Sequence, residues 1–147
     1  RVVRALEMFE EGDSYARRKA AFKGVAEAIP SIKIGLARDT QLLYERINKR
    51  VDDMVAEGLV AEVTGLLAQG FREGLTAQAA IGYKEIVAAL DGLCTMDEAI
   101  EQIKMSTRRY SKRQRTWLRS EAGLNWIEAD GKTLDEIVAE ALHLITA

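Results

Sequence analysis

Seven cations and no carboxylate share the sixteen residues from Lys104 to Arg119: Lys104, Arg108, Arg109, Lys112, Arg113, Arg115 and Arg119. The whole chain of 147 residues has 21 Lys+Arg against 23 Asp+Glu, which leaves 14 against 23 elsewhere. A chain that is otherwise acidic has gathered a third of its positive charge into one segment, and such a concentration points to an anionic partner. On a helix turning about 100° per residue, Lys104, Arg108, Lys112, Arg115 and Arg119 share an arc of about 80°. Beside that ridge runs an apolar arc of Ile100, Ile103, Tyr110, Trp117 and Leu118. The expectation is a helix that buries the apolar arc and presents the ridge, with Arg109 and Arg113 facing elsewhere. Arginine grips a phosphate through two parallel N–H bonds, and cations along a helix can follow successive phosphates. Thr107 and Gln114 fall inside the apolar arc, so each is satisfied internally or faces a site. The plainer alternative is a solvated basic face neutralised by acids elsewhere in the fold; the stretch itself offers no acid for an i,i+4 pair. Periodicity does not choose between nucleic acid and a small phosphate compound.

Two further groupings could carry chemistry. Arg46 and Arg50 share a helical face, with Asp53 a turn further on. Two such arginines can clamp a diphosphate and stabilise a leaving group, or they can form a salt-bridge face with Glu45, Asp52 and Asp53. Ile81-Gly82-Tyr83-Lys84 opens a short helix. Gly82 would allow close backbone approach, free N–H groups and Lys84 would suit an anion, and Tyr83 could stack on a base. A simple loop-to-helix junction reads the same way. Cys94 and His143 have no partners of the right type and read as structural.

These residues need elements to hold them. Val2, Val3, Leu6, Met8 and Phe9 give a helical stripe over residues 1–11, stopped at Gly12, and residues 13–28 read as a solvated helix or mobile connection. Ile29-Pro30 marks a break, after which Ile32, Ile34 and Leu36 alternate with Ser31, Lys33 and Gly35 as a strand. Asp39 or Thr40 caps a helix reaching Glu57, with Leu43, Ile47, Val51, Met54 and Val55 inward. A second helix covers Leu59–Gln69, Phe71–Ala80 reads as a loop, and a short helix runs to Leu90. Thr95 and Glu98 form a capping box for the basic helix, LNWIE at 124–128 is a second strand, and Thr133 with Glu136 caps the last helix, to Ile145. Short apolar strands separated by helices are α/β grammar, although the chain is predominantly helical. Two strands make a poor sheet alone, so their partners are expected upstream of Arg1, as is a longer parent protein.

One Cys excludes an internal disulfide framework and fits a reducing, cytoplasmic setting. One Cys and one His leave no ligand-spaced metal cluster. No apolar run approaches a membrane span, and no membrane partner is expected.

Taken together, RVVRALE (1–7), LYERINKRVDDMVAEGLVAEV (43–63), AIGYKE (80–85) and TRRYSKRQRTWLR (107–119), followed by LNWIE, resemble the C-terminal half of tRNA dimethylallyltransferases, also called tRNA isopentenyltransferases. The resemblance runs from Arg1 to about Glu128. It implies the C-terminal part of a P-loop-type parallel α/β core (residues 30–147) with the end of a helical tRNA-binding insert (residues 1–29). It implies transfer of a dimethylallyl group from dimethylallyl diphosphate to N6 of the adenine 3′ of the anticodon. The implied partners are the tRNA anticodon stem-loop, dimethylallyl diphosphate and Mg²⁺, the last held mainly by residues outside this chain, in a monomer. Carried onto matching positions, the tRNA contacts are Arg1, Arg4, Ile81, Gly82, Tyr83, Lys84, Lys112, Arg113, Gln114, Arg115, Thr116, Trp117, Leu118 and Arg119. Arg108 joins them as a member of the ridge. Arg46 or Arg50 is expected on the diphosphate, Arg46 preferred. The family's glycine-rich phosphate loop and general-base Asp belong to its N-terminal half, and no GxxxxGK[ST] pattern occurs in these 147 residues. Ala79 stands where the family often has a polar residue. A non-enzymatic RNA-binding helical module is the alternative reading.

Overall fold

A computed structural model of the chain describes residues 2–12, 14, 16–17, 31–74 and 76–146. They fall into two compact units, Arg1–Ile32 and Lys33–Ala147. The first holds α1 (Val2–Glu10), followed by Gly12 at φ +79°, whose N–H reaches the Phe9 carbonyl at 3.1 Å. Of its expected stripe Met8 is buried, whereas Val3, Leu6 and Phe9 are exposed. Most of the stretch 13–28 lies outside the described residues.

The second unit is β1 (Lys33–Ala37), α2 (Thr40–Ala56), α3 (Leu59–Ala68), α4 (Tyr83–Leu90), α5 (Met96–Leu118), β2 (Leu124–Glu128) and α6 (Leu134–Thr146). Two 3₁₀ turns, Phe71–Glu73 and Ala77–Ala79, occupy the expected loop. The strands pair with each other in parallel, Lys33 opposite Leu124 and Ala37 opposite Glu128. Gly35 lies under the Trp126 ring: a Cβ there would sit 3.1 Å from it. Gly58, at φ +111°, turns α2 straight into α3, a conformation that glycine adopts without a Cβ clash.

The core is Val51 of α2, Leu59 and Val63 of α3, Ile86 of α4 and Ile103 of α5. Ile86 and Val63 are fully buried. Four helices thus meet at one apolar point, and α5 packs on both α4 and α2.

The helix starts follow the capping signals. Asp39 Oδ1 accepts N–H bonds from Gln41 at 2.8 Å and Leu42 at 3.1 Å. Thr95 accepts from the Glu98 N–H while Glu98 accepts from the Thr95 N–H at 2.8 Å, and Thr133 and Glu136 repeat the arrangement. Those backbone bonds, led by Leu42, Thr95 and Thr133 respectively, hold the Asp39, Glu98 and Glu136 carboxyls below their ordinary range. A lowered carboxylate stabilises the fold above its unfolded value and loses that contribution as pH falls through the folded one. Replacing Glu98 and Glu136 by Gln should therefore flatten the acid loss of helicity below about pH 4.3. Circular dichroism against pH measures this; an unchanged acid limb would contradict the capping role.

Candidate functional site

The ridge on α5 does not stand clear of the fold as its spacing suggested. Lys104 lies between Asp52 of α2 and Glu101, 2.8 Å from each, and is 13% exposed. Hydrogen bonds to Asp52 and then Glu101 hold its ammonium above the ordinary value. Arg108 donates to the Asn48 side-chain oxygen and Arg115 to Thr40 Oγ1. Three ridge cations therefore turn onto α2, which offers Asp52, Asn48 and Thr40 along one helical row. Lys112 and Arg119 are exposed and have no side-chain partner among the described residues. Neutralisation from elsewhere in the fold thus holds for Lys104 and fails for these two.

The apolar arc is also corrected at its far end. Ile103 is buried, but Tyr110 and Trp117 are 47% and 62% exposed. The eight residues of α4 span about 12 Å, too short to cover the 23 residues of α5. Arg113 sits over the Tyr110 ring, 5.6 Å from its centre. Thr107 donates to the Ile103 carbonyl at 2.8 Å, so it is satisfied within the helix, and Gln114 is exposed. Thr116 and Arg109 are exposed as well.

The Ile81–Lys84 junction offers fewer open donors than expected. Gly82, at φ +102°, gives its N–H to Glu85 Oε2 at 2.8 Å, and Glu85 is buried. Ser106 of α5 donates to the other oxygen of Glu85 at 3.3 Å, and Lys84 lies 3.5 Å from it. The helix start thus already holds an anion belonging to the protein. Tyr83 stacks on Phe71 with ring centres 5.7 Å apart and donates its hydroxyl to Glu62, which pushes the phenol up. Ile81 is half-buried and Lys84 exposed.

Arg46 and Arg50 are exposed and have no side-chain partner among the described residues. The acids that could have neutralised them are engaged elsewhere. Asp52 holds Lys104, Asp53 takes Lys49 at 2.9 Å, and Glu45 accepts from Gln41 at 3.3 Å. The alternative of a salt-bridge face is therefore not what forms. At about 100° per residue the two arginines lie roughly opposite Asn48, the side of α2 that meets α5. Arg1 and the Arg4 side chain lie outside the described residues.

A cleft of about 640 Å³ opens at the carboxyl ends of the two parallel strands, where α/β folds place ligands. Residue pairing explains its floor. The Ala129 N–H meets the Ala37 carbonyl at 2.9 Å, which brings Arg38 and Asp130 together at 3.0 Å. Asp130 also accepts the Asp39 N–H. Arg115, Arg119 and Trp126 line the same cleft. Arg38 and Asp130 were not among the expected site residues, although each stands within two residues of a strand's carboxyl end, a signal that could have found them. A second groove, of about 310 Å³, lies between the start of α2 and the end of α5. No group of three or more His, Cys, Asp or Glu among the described residues could hold a metal ion. Asp39 Oδ1 and both Asp130 oxygens serve backbone N–H groups and Arg38, so among the described residues the cleft offers no cluster of free carboxylates to fit a Mg²⁺ site.

Residues 1–121 match the model of the family described as IPP transferase. The chain is 43% identical over 143 residues to a tRNA dimethylallyltransferase of Geobacter metallireducens, covering 97% of this chain and 46% of that protein. One from Carboxydothermus hydrogenoformans shows the same identity and coverage. The fold matches a tRNA isopentenylpyrophosphate transferase from Bacillus halodurans with TM-score 0.77 and 38% identity, over 88% of this chain and 43% of that one. A tRNA delta(2)-isopentenylpyrophosphate transferase from Staphylococcus epidermidis gives 0.78 and 34%, over 99% and 47%. The chain spans about half the length of the relatives it matches. The α/β, mostly helical reading and the family resemblance both hold, and among the described residues no helix is long and apolar enough to cross a membrane.

The two kinds of ridge cation should behave differently. With RNA as the polyanion probe, a ridge that meets phosphates predicts that Lys112→Ala or Arg119→Ala each reduces the salt dependence of binding by about one unit of slope. Lys104→Ala should leave that slope unchanged and lower the unfolding midpoint instead. Filter binding across a salt series separates them; an equal slope change for Lys104→Ala would refute its neutralisation.

Proposed function

The chain belongs to the IPP transferase family, and from that premise we propose that it supplies the tRNA-gripping and diphosphate-facing part of a tRNA-modifying prenyltransferase. The reaction moves a dimethylallyl group from dimethylallyl diphosphate to N6 of the adenine 3′ of the tRNA anticodon. The amine nitrogen attacks the allylic carbon, the carbon–oxygen bond to diphosphate breaks, and the N6 proton leaves with a base. In this proposal the base and the phosphate loop are outside this chain, as is the seat of any Mg²⁺, which when bound would neutralise diphosphate charge.

The observation that carries the reading is the distribution of uncommitted cations about α2. Lys112 and Arg119, with Arg115 tethered between them, face one side; Arg46 and Arg50, unneutralised, face the opposite one. That suits a tRNA and a diphosphate approaching from two directions, with the adenine turned out of its stack to meet the donor. Arg46 and Arg50, one turn apart, take the diphosphate, and Arg46 is preferred. Lys112, Arg113, Gln114, Arg115, Thr116, Trp117 and Arg119 take the anticodon stem-loop. Arg108 contributes by fixing α5 through Asn48. Ile81, Gly82, Tyr83 and Lys84 contact tRNA by shape and through Lys84, since the Gly82 N–H and Tyr83 hydroxyl are already bonded. In this proposal Arg1 and Arg4, in the first unit, also contact tRNA.

The full reading frame containing this chain should transfer label from dimethylallyl diphosphate to N6 of adenosine in tRNA. Salt-sensitive RNA binding without transfer would favour the RNA-binding module. Arg46→Ala and Arg50→Ala should lower kcat/KM for the diphosphate by roughly 10²-fold while tRNA affinity holds. Unchanged diphosphate kinetics in both variants would remove these arginines from the site.

A further inference from the structure

The groove between α2 and α5 has a composition that the reaction alone does not require. Lys112, Arg115 and Arg119 line it, with Thr40, Tyr44 and two further α5 hydroxyls, and no carboxylate does. Contacts from α5 to α2 run antiparallel: Lys104 meets Asp52, Arg108 meets Asn48, and Arg115 meets Thr40. The same register sets Tyr44 opposite Lys112. Asp39, next to Thr40 in the chain, caps α2 and lines the neighbouring cleft, where the backbone bonds from Leu42 and Gln41 lower its carboxyl and the Arg115 charge is a smaller cause.

Most of the hydroxyls in the groove are already used. Ser111 donates to the Arg108 carbonyl at 2.8 Å and Thr116 to the Lys112 carbonyl at 3.0 Å. Thr40 Oγ1 accepts from Arg115, which fixes one edge of the guanidinium and leaves its other N–H groups to a ligand. Holding the fork in place before binding reduces the ordering that binding would demand. Among the lining residues, the Tyr44 hydroxyl is the neutral donor with no partner in the described structure. Three cations and one free phenol around about 310 Å³ match a single phosphate with its sugar, not a duplex.

We propose that Tyr44 and Thr40 of α2 complete, with Lys112, Arg115 and Arg119, a seat for one phosphate of the RNA strand. The proposal rests on the tRNA reading above and deepens it: α2 is a second wall of the interface, with Tyr44 donating to a non-bridging phosphate oxygen and Thr40 positioning Arg115. The shared chemistry, a phosphate oxygen, is also present in a free diphosphate.

The test uses the full protein and Tyr44→Phe, which keeps the ring and removes only the hydroxyl. Its tRNA affinity should fall about tenfold, the size of a lost hydrogen bond to a charged group. Its salt slope should equal that of the wild type, because no charge is lost. Thr40→Val should weaken binding similarly and leave the KM for dimethylallyl diphosphate unchanged. A raised diphosphate KM at unchanged tRNA affinity would assign the groove to the free diphosphate and overturn the RNA seat. Unchanged values for both ligands would overturn the seat altogether. A wild type that transfers no prenyl group, yet loses RNA affinity tenfold on Tyr44→Phe, would sink the reaction and keep the seat.

Discussion

The placement of every cation on α5 depends on one junction, where buried Ile103 is followed by Lys104. Ile103 enters the core made by Val51, Leu59, Val63 and Ile86 and sets how deeply the helix sits. Lys104 sets its rotation. An ammonium that is 13% exposed would be costly without partners, and here two carboxylates at 2.8 Å meet it. Turning α5 by one residue, about 100°, would take Lys104 from Asp52, Arg108 from Asn48 and Arg115 from Thr40 at once. The azimuth is fixed by a row of polar contacts and the depth by apolar ones. Surface ion pairs are individually weak, so the row acts through registry more than through energy.

Glu85 plays a matching part at the other side of α5. Its buried carboxylate closes the start of α4 through the Gly82 N–H and receives Ser106 from α5. A buried carboxylate is tolerated when its oxygens are satisfied, and among the described residues no buried side-chain polar atom lacks a hydrogen-bond partner. The Ile81–Lys84 junction is thereby tied to the basic helix, so a direct hydrogen bond links the two stretches that resemble tRNA contacts.

What the amino-acid order shows depends on how far apart the interacting groups lie. Asp39, Thr95 with Glu98, and Thr133 with Glu136 satisfy N–H groups within three residues, so those helix starts were readable. The alternation around Ile34 and the apolar LNWIE run marked both strands. Long-range pairings were not readable. Arg38 and Asp130 are 92 positions apart and meet because the parallel register sets Ala37 beside Glu128. Lys104 looked like one cation among five until Asp52, on another helix, was in place. Tyr110 and Trp117 share an arc with Ile103, but periodicity carries no information about the length of the neighbour, and α4 ends too soon to cover them.

The carboxylates of α2 explain how a chain with more acids than bases still keeps cations without counterions. Asp52 serves α5, Asp53 is held by Lys49 and Glu45 by Gln41, all within or beside one helix. None of these acids pairs with Arg46 or Arg50 among the described residues, and none reaches Lys112 or Arg119. Net charge therefore says little about the local field: a chain at −2 overall carries cations without counterions on two sides of α2. Under the proposed function such a helix would work as a partition. Its row from Thr40 to Asp52 grips α5, and its opposite face keeps two arginines free. In the proposed reaction two anionic substrates would repel each other, and a partition that offers each its own cations would lower that repulsion before any bond is made. Lys104, Arg108 and Arg115 hold α5 against α2, which leaves Lys112 and Arg119 exposed on one side and, in the proposed reaction, the far side of α2 to the second anion.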